Sequence, residues 1–175
     1  MQKSFTNIDD YLKSLEMVSV VKEFDDFNTP RVAQLTQRSN QFNLRTVRYT
    51  EADVKMMSQS DEFITLSFNL EDKFGDHGLI ALIILKRQPD KTAFIDTWIM
   101  SCRVLKRGME EFTVNQMVKR ARASGFERLI GEFLPTTKNM MVKDLYSQMG
   151  FESGDSSWSL NLMLCKSLKT YILEK

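Results

Sequence analysis

Histidine and cysteine are nearly missing from this sequence, which holds one imidazole, at His77, and two thiols, at Cys102 and Cys165, in 175 residues. With so few ligands, and none at zinc spacing, no structural metal is expected. The two thiols stand in unrelated surroundings with no secretory signal read ahead of them. A reduced, cytoplasmic setting is therefore expected, while the sequence leaves a disulfide between them open. Charge of one sign is also lacking. Lys and Arg number 24 against 23 Asp and Glu, a net charge of +1, which argues against a nucleic-acid partner and makes any phosphate site a local one. The longest apolar run, Leu79 to Leu85, falls far short of the roughly 20 residues of a bilayer-crossing helix, so a buried strand and no membrane are expected. No internal repeat or low-complexity segment is found, and the length suits one domain, or one with an appendage.

What is present is organised around residues 92–110. Phe94, Asp96, Trp98, Met100 and Cys102 alternate with Ile95, Thr97, Ile99 and Ser101, and both sets are largely apolar, which predicts a central strand. Arg103-Val-Leu-Lys-Arg-Gly108 then turns the chain. From Met109 to Ser124, Val114, Met117, Val118 and Ala121 form a helical stripe closed by Gly125. Such a strand, loop and helix leave the free N–H groups of the first helical turn facing the loop, a ready phosphate site.

Along the rest of the chain, Ile8, Tyr11, Leu12 and Leu15 predict a short helix within residues 4–20, capped by Thr6 or Asn7. Thr29 as cap and Pro30 at the first helical position predict a second helix that ends near Asn40. Leu44 to Tyr49 alternates as a strand, and Thr50 caps a helix that runs to Gln59. Ile64 to Leu70, Leu79 to Leu85 and the central strand form an antiparallel meander. A strand over 129–134, a helix over 139–149 and closing strands within 158–164 and 169–173 complete the order.

That order from Leu44, with Arg103-x-x-Lys106-x-Gly108 after the central strand, resembles the GNAT acyltransferase superfamily. Lys106 stands where that family's pyrophosphate loop has its first glycine. Asn139, Tyr146 and Gly150-Phe151 are similar to the segment in which an asparagine holds the pantetheine arm and a tyrosine protonates the leaving thiolate. Longer phrases, Asp10 to Met17, Arg31 to Thr50, Asp72 to Gly78 and Ile95 to Arg103, resemble the C-terminal half of FkbH-like proteins. The resemblance implies an α+β, GNAT-like fold, with a mixed, mainly antiparallel sheet and flanking helices, over 44–175. Residues 1–43 would then be a helical N-terminal extension or connector. It also implies an acyltransferase domain acting on a pantetheine thioester, with coenzyme A or phosphopantetheine as cofactor. Its partner would be an acyl carrier protein or acyl-CoA, in polyketide biosynthesis. In that family a HAD-type phosphatase domain precedes this part, and glyceryl units are loaded onto a carrier. No Asp-x-Asp-x-Thr motif of that phosphatase occurs here. A non-catalytic module that docks a carrier or a HAD-type partner is the alternative.

The candidate catalytic residues are Cys102, His77 and Tyr146. Cys102, at the end of the central strand, is a possible acyl-accepting thiolate with Arg103 as a neighbouring cation, or a buried small hydrophobe. His77 is a possible base, or an exposed turn residue. Tyr146 is a possible general acid, or a packed aromatic. Arg103, Lys106, Arg107, Gly108 and Asn139 are the expected cofactor-binding residues. Asp96 is expected to be a buried polar group with a partner, and Lys119, Arg120 and Arg122 a solvated helix face.

Overall fold

A computed structural model describes residues 7–175. The chain begins with α1 (Ile8–Ser14), capped by Asn7, whose Oδ1 accepts from Asp10 N at 2.8 Å; the alternative cap Thr6 lies outside the described residues. Two short strands follow, β1 (Val18–Ser19) and β2 (Val21–Lys22), and then α2 (Thr29–Arg38) and α3 (Glu51–Gln59). The meander consists of β3 (Phe63–Asp72), β4 (Gly75–Gln88) and β5 (Thr92–Met100), and α4 (Met109–Ala123) leads into β6 (Arg128–Gly131). A 3-10 turn at Met140–Val142 precedes α5 (Leu145–Gln148), β7 (Glu152–Ser153), β8 (Trp158–Asn161) and β9 (Leu173–Glu174).

The strands form one sheet in the order β7-β8-β6-β5-β4-β3-β1-β9, with β2 also on β3. Among the described residues only β5–β6 and β1–β9 pair in parallel. The architecture is α+β, a mixed and mainly antiparallel sheet with helices on both faces. Alternation along β4 sets the two layers. Ala81, Ile83 and Leu85 join the larger apolar cluster with Met109, Phe112 and Met117 of α4 and Leu145 and Tyr146 of α5. Leu82 and Ile84 face the opposite cluster, made by Val32 and Leu35 of α2 and Val54 and Met57 of α3.

Local signals hold where periodicity is long. Thr50 and Asp53 form a reciprocal capping box at α3. Gly125 follows α4 with φ 86°, the left-handed conformation a helix end requires. Elsewhere tertiary context overrides the pattern. The cap of α2 is Asn28 rather than Thr29; Thr29 Oγ1 donates to Asp25 O at 2.6 Å instead. Residues 139–149 do not form one helix, because Asn139 turns its side chain inward to hold neighbouring loops instead of capping. Residues 1–43 also differ from a helical connector. Among those described, β1 and β2 extend the sheet, and Leu15, Met17, Phe24, Val32, Leu35 and Phe42 are buried in the two clusters. A boundary at residue 43 therefore does not separate two packing units. The strand expected over 44–49 is absent, for a reason that lies in the site.

Candidate functional site

The neighbouring parallel strands β5 and β6 pair only from Thr92↔Arg128 to Phe94↔Ile130 and then part. Their divergence begins at a bulge in β5. Ile84 faces Thr97 while Leu85 faces Ile95, which leaves Asp96 as an extra residue. The strict alternation read from the sequence therefore breaks at Asp96, and Ile95 joins Trp98 and Met100 on the α4/α5 side.

Beyond the bulge, residues 42–45 lie between the parting strands. Phe42 O accepts from Met100 N at 3.4 Å, Asn43 bridges Ile99, and Leu44 O accepts from Leu134 N at 2.9 Å. A regular strand is ruled out here by Asn43 Oδ1, which accepts from Thr46 N at 3.0 Å and turns the chain, with Thr46 at φ 57°. Arg45 then points into the gap. Its Nη1 donates to Asp96 O at 2.9 Å and Asp96 Oδ1 at 3.3 Å, and its Nε to Glu132 Oε1 at 3.0 Å, with the guanidinium stacked 4.8 Å over Phe94. Asp96 Oδ2 also accepts from Tyr49 Oη at 2.5 Å and Thr97 Oγ1 at 2.8 Å. Burial and the Asp96 carboxylate together push the Tyr49 phenol well above its ordinary range. Asp96 is the partnered buried acid expected of it. Arg45, Tyr49 and Glu132 were not singled out by sequence, although the first two lie in the phrase Arg31–Thr50.

At the open end of the gap is a cavity of about 680 Å³, lined by Arg38, Gln41, Phe42, Ser101, Cys102 and Lys138 among others, with no carboxylate. Cys102 is exposed there and donates to Gln41 Oε1 at 2.9 Å. Neither Cys102 nor Cys165 is in a disulfide. Asn139 is fully buried, donating to Asn43 O at 2.9 Å and Leu134 O at 3.0 Å and accepting from Thr136 N at 2.7 Å. It ties the exit of β6 to the inserted segment. The Tyr146 ring lies against Gly131 and between Trp98 and Phe151, at 6.1 and 4.9 Å. Its hydroxyl is buried without a hydrogen-bond partner, as is Trp98 Nε1, and burial pushes the phenol far above its ordinary value. The group can hold a proton but not act as a base.

His77 is elsewhere. It lies in β4 rather than in a turn, and its Nε2 meets Asp72 Oδ2 at 2.8 Å. Arg107 Nη1 reaches the same oxygen at 3.4 Å. Burial raises the Asp72 carboxyl, but hydrogen bonds from His77 and Phe74 N and the charges of His77 and Arg107 outweigh it and bring the carboxyl below its ordinary value. Cys102, His77 and Tyr146 thus each have separate surroundings. Of the expected cofactor residues, Arg103 leans on Ser101 Oγ at 3.4 Å, Lys106 N donates to Glu110 Oε2 at 3.2 Å, and Gly108 O accepts from Thr170 Oγ1 at 2.9 Å. Among the described residues no three His, Cys, Asp or Glu side chains are grouped to hold a metal, and no helix is long and apolar enough to cross a membrane.

No family model matches the sequence, and no curated protein is similar to it. Solved structures do match. The chain is similar to the ribosomal-protein-S18-alanine N-acetyltransferase from Escherichia coli at 12% identity, with 85% of this chain and 97% of that one covered and a TM-score of 0.61. It is similar to the GNAT domain of S. lividans PAT at 16% identity, over 81% and 89%, with a TM-score of 0.62. It is also similar to spermidine N-acetyltransferase from Vibrio cholerae, solved in complex with CoA and spermine, at 11% identity over 83% and 96%, TM-score 0.64.

Proposed function

We propose that this GNAT-fold chain is an acyltransferase domain that takes an acyl group from a pantetheine thioester, as the resemblance to FkbH-like proteins implies. The observation that carries this reading is the parting of β5 and β6 beside a carboxylate-free cavity that holds an exposed thiol. In the proposed reaction the Cys102 sulfur, as thiolate, attacks the thioester carbonyl. The new Cys102 thioester forms as the bond from carbonyl carbon to pantetheine sulfur breaks. The departing thiolate takes up from solvent the proton that Cys102 released to it on ionising, while Tyr146, whose buried hydroxyl keeps its own proton, packs beside the gap. A second thiol, on a carrier protein, then receives the acyl group by the same exchange. Gln41 orients the Cys102 S–H, and Asn139 holds the walls of the gap. His77 has no part in this step, being engaged by Asp72. A HAD-type phosphatase domain is the proposed neighbour, and a glyceryl unit the proposed cargo.

The second reading is a module that docks a carrier or such a partner without chemistry. It is favoured by the insertion of residues 42–45 between β5 and β6, where the chain's own backbone uses Met100 N and Leu134 N. Intact-protein mass after mixing with acyl-pantetheine decides between the readings. An acyl adduct on the parent, lost in Cys102→Ala, supports the enzyme; binding of the thioester with no adduct and no transfer supports the module.

A further inference from the structure

The loop from β5 to α4 turns as a pyrophosphate cradle would, yet the groups a pyrophosphate needs are already engaged. Lys106 and Gly108 are both left-handed, with φ 61° and 90°, so the lysine adopts the backbone a glycine would give. Lys106 N–H is taken by the Glu110 carboxylate, whose other oxygen is buried without a hydrogen-bond partner. Glu111 stands beside it in the same first helical turn. These acids supply the negative charge that the partly positive helix N-terminus would otherwise draw from a ligand. Thr170 covers Gly108, its Oγ1 2.9 Å from the position a Cβ would take and bonded to Gly108 O. Arg107 is turned away to Asp72. The cavity left at this end, about 190 Å³, is lined by Asp9, Glu110 and Glu111 as well as by Lys106, Arg107 and Lys169. A diphosphate would have to displace a carboxylate and a hydroxyl, and the three cations of this cavity are already balanced by three acids, so coenzyme A does not fit here. The cavity at the mouth of the β5/β6 gap, by contrast, has Arg38 and Lys138 and no acid.

We infer that Glu110 and Thr170 are specificity-determining residues that exclude the nucleotide diphosphate of coenzyme A, so that the acyl group arrives on pantetheine or 4′-phosphopantetheine without a pyrophosphate. This rests on the pantetheine reading of the gap. The test is calorimetric titration of the full chain with pantetheine, 4′-phosphopantetheine and coenzyme A. The first two bind saturably, and coenzyme A binds no more tightly than pantetheine. Glu110→Gln keeps an acceptor for Lys106 N–H but removes the charge, and raises coenzyme A affinity about tenfold with pantetheine affinity unchanged. Parent protein that prefers coenzyme A to pantetheine by tenfold or more overturns the inference while leaving the pantetheine reading intact. So does a Glu110→Gln variant with an unaltered ratio. Failure of all three ligands to bind overturns both. If Glu110→Gln does not fold, the parent's own ratio still decides.

Discussion

Gly131→Ala tests how Tyr146 is held at the gap. Gly131 is not among the positive-φ glycines, so the effect of a methyl group there is steric rather than conformational. A Cβ at this position would lie 2.3, 2.6 and 2.7 Å from Cζ, Cε1 and Cε2 of Tyr146. Carbon atoms pack at about 3.5–4.0 Å, so the ring must move by about 1 Å or more. It has little room, being 1% exposed with Trp98 and Phe151 against it. We expect Gly131→Ala to cost about 3 kcal/mol, the upper part of the overpacking range. Tyr146→Ala alone should cost about 4 kcal/mol, as truncations of buried aromatics do. In the double variant the new methyl enters the space the ring has left. The total should therefore stay near that of Tyr146→Ala, about 3 kcal/mol below additivity. Urea denaturation at unchanged m reads this directly: with m of about 2 kcal/mol/M, the Gly131→Ala midpoint falls by about 1.5 M. A Gly131→Ala protein as stable as the parent, or additive costs in the double variant, would refute the close seating of the ring.

The same site predicts that Tyr146→Phe raises stability by about 1 kcal/mol, since it removes a buried hydroxyl with no partner; lower stability would mean that the hydroxyl is bonded. Cys102, exposed, should react with iodoacetamide faster than the half-buried Cys165 and be protected by pantetheine; an inert Cys102 would remove the covalent step. The Asp72 carboxyl is held below its ordinary value of about 3.9, so its contribution is complete above that pH and is lost as pH falls through the lower folded value. The stability gap between parent and Asp72→Asn should accordingly narrow as pH falls below about 4; a gap unchanged to pH 3 would contradict the assignment. Deleting residues 1–42 removes Leu15, Met17, Phe24, Val32, Leu35 and Phe42 from the core. At about 1.5–3 kcal/mol each, that loss is on the order of 10 kcal/mol, comparable to a whole domain's net stability. The truncated chain should show no cooperative thermal transition, and a sharp one would restore the connector reading.

The sequence alone determined those elements whose signal is local. Alternation over β3, β4 and β5, the apolar stripe of α4 between Gly108 and Gly125, and the Thr50–Asp53 cap are set by residues within a few positions of each other, and each appears where the pattern places it. The order of these elements was enough to suggest the GNAT fold. The two-residue strands β1, β2 and β7 had no such signal, because so short a segment becomes a strand only when an edge of β3 or β8 lies beside it. The same limit concealed the site. Arg45, Tyr49, Asp96 and Glu132 meet across as many as 87 positions of chain, and the bulge at Asp96 inverts the side-chain parity that alternation implies. Residues 44–49 alternate like a strand, yet the gap between β5 and β6 takes their backbone as a wedge and turns Arg45 toward two carboxylates. Charge burial in a shared space made that choice, and the space exists only once both strands have been laid down.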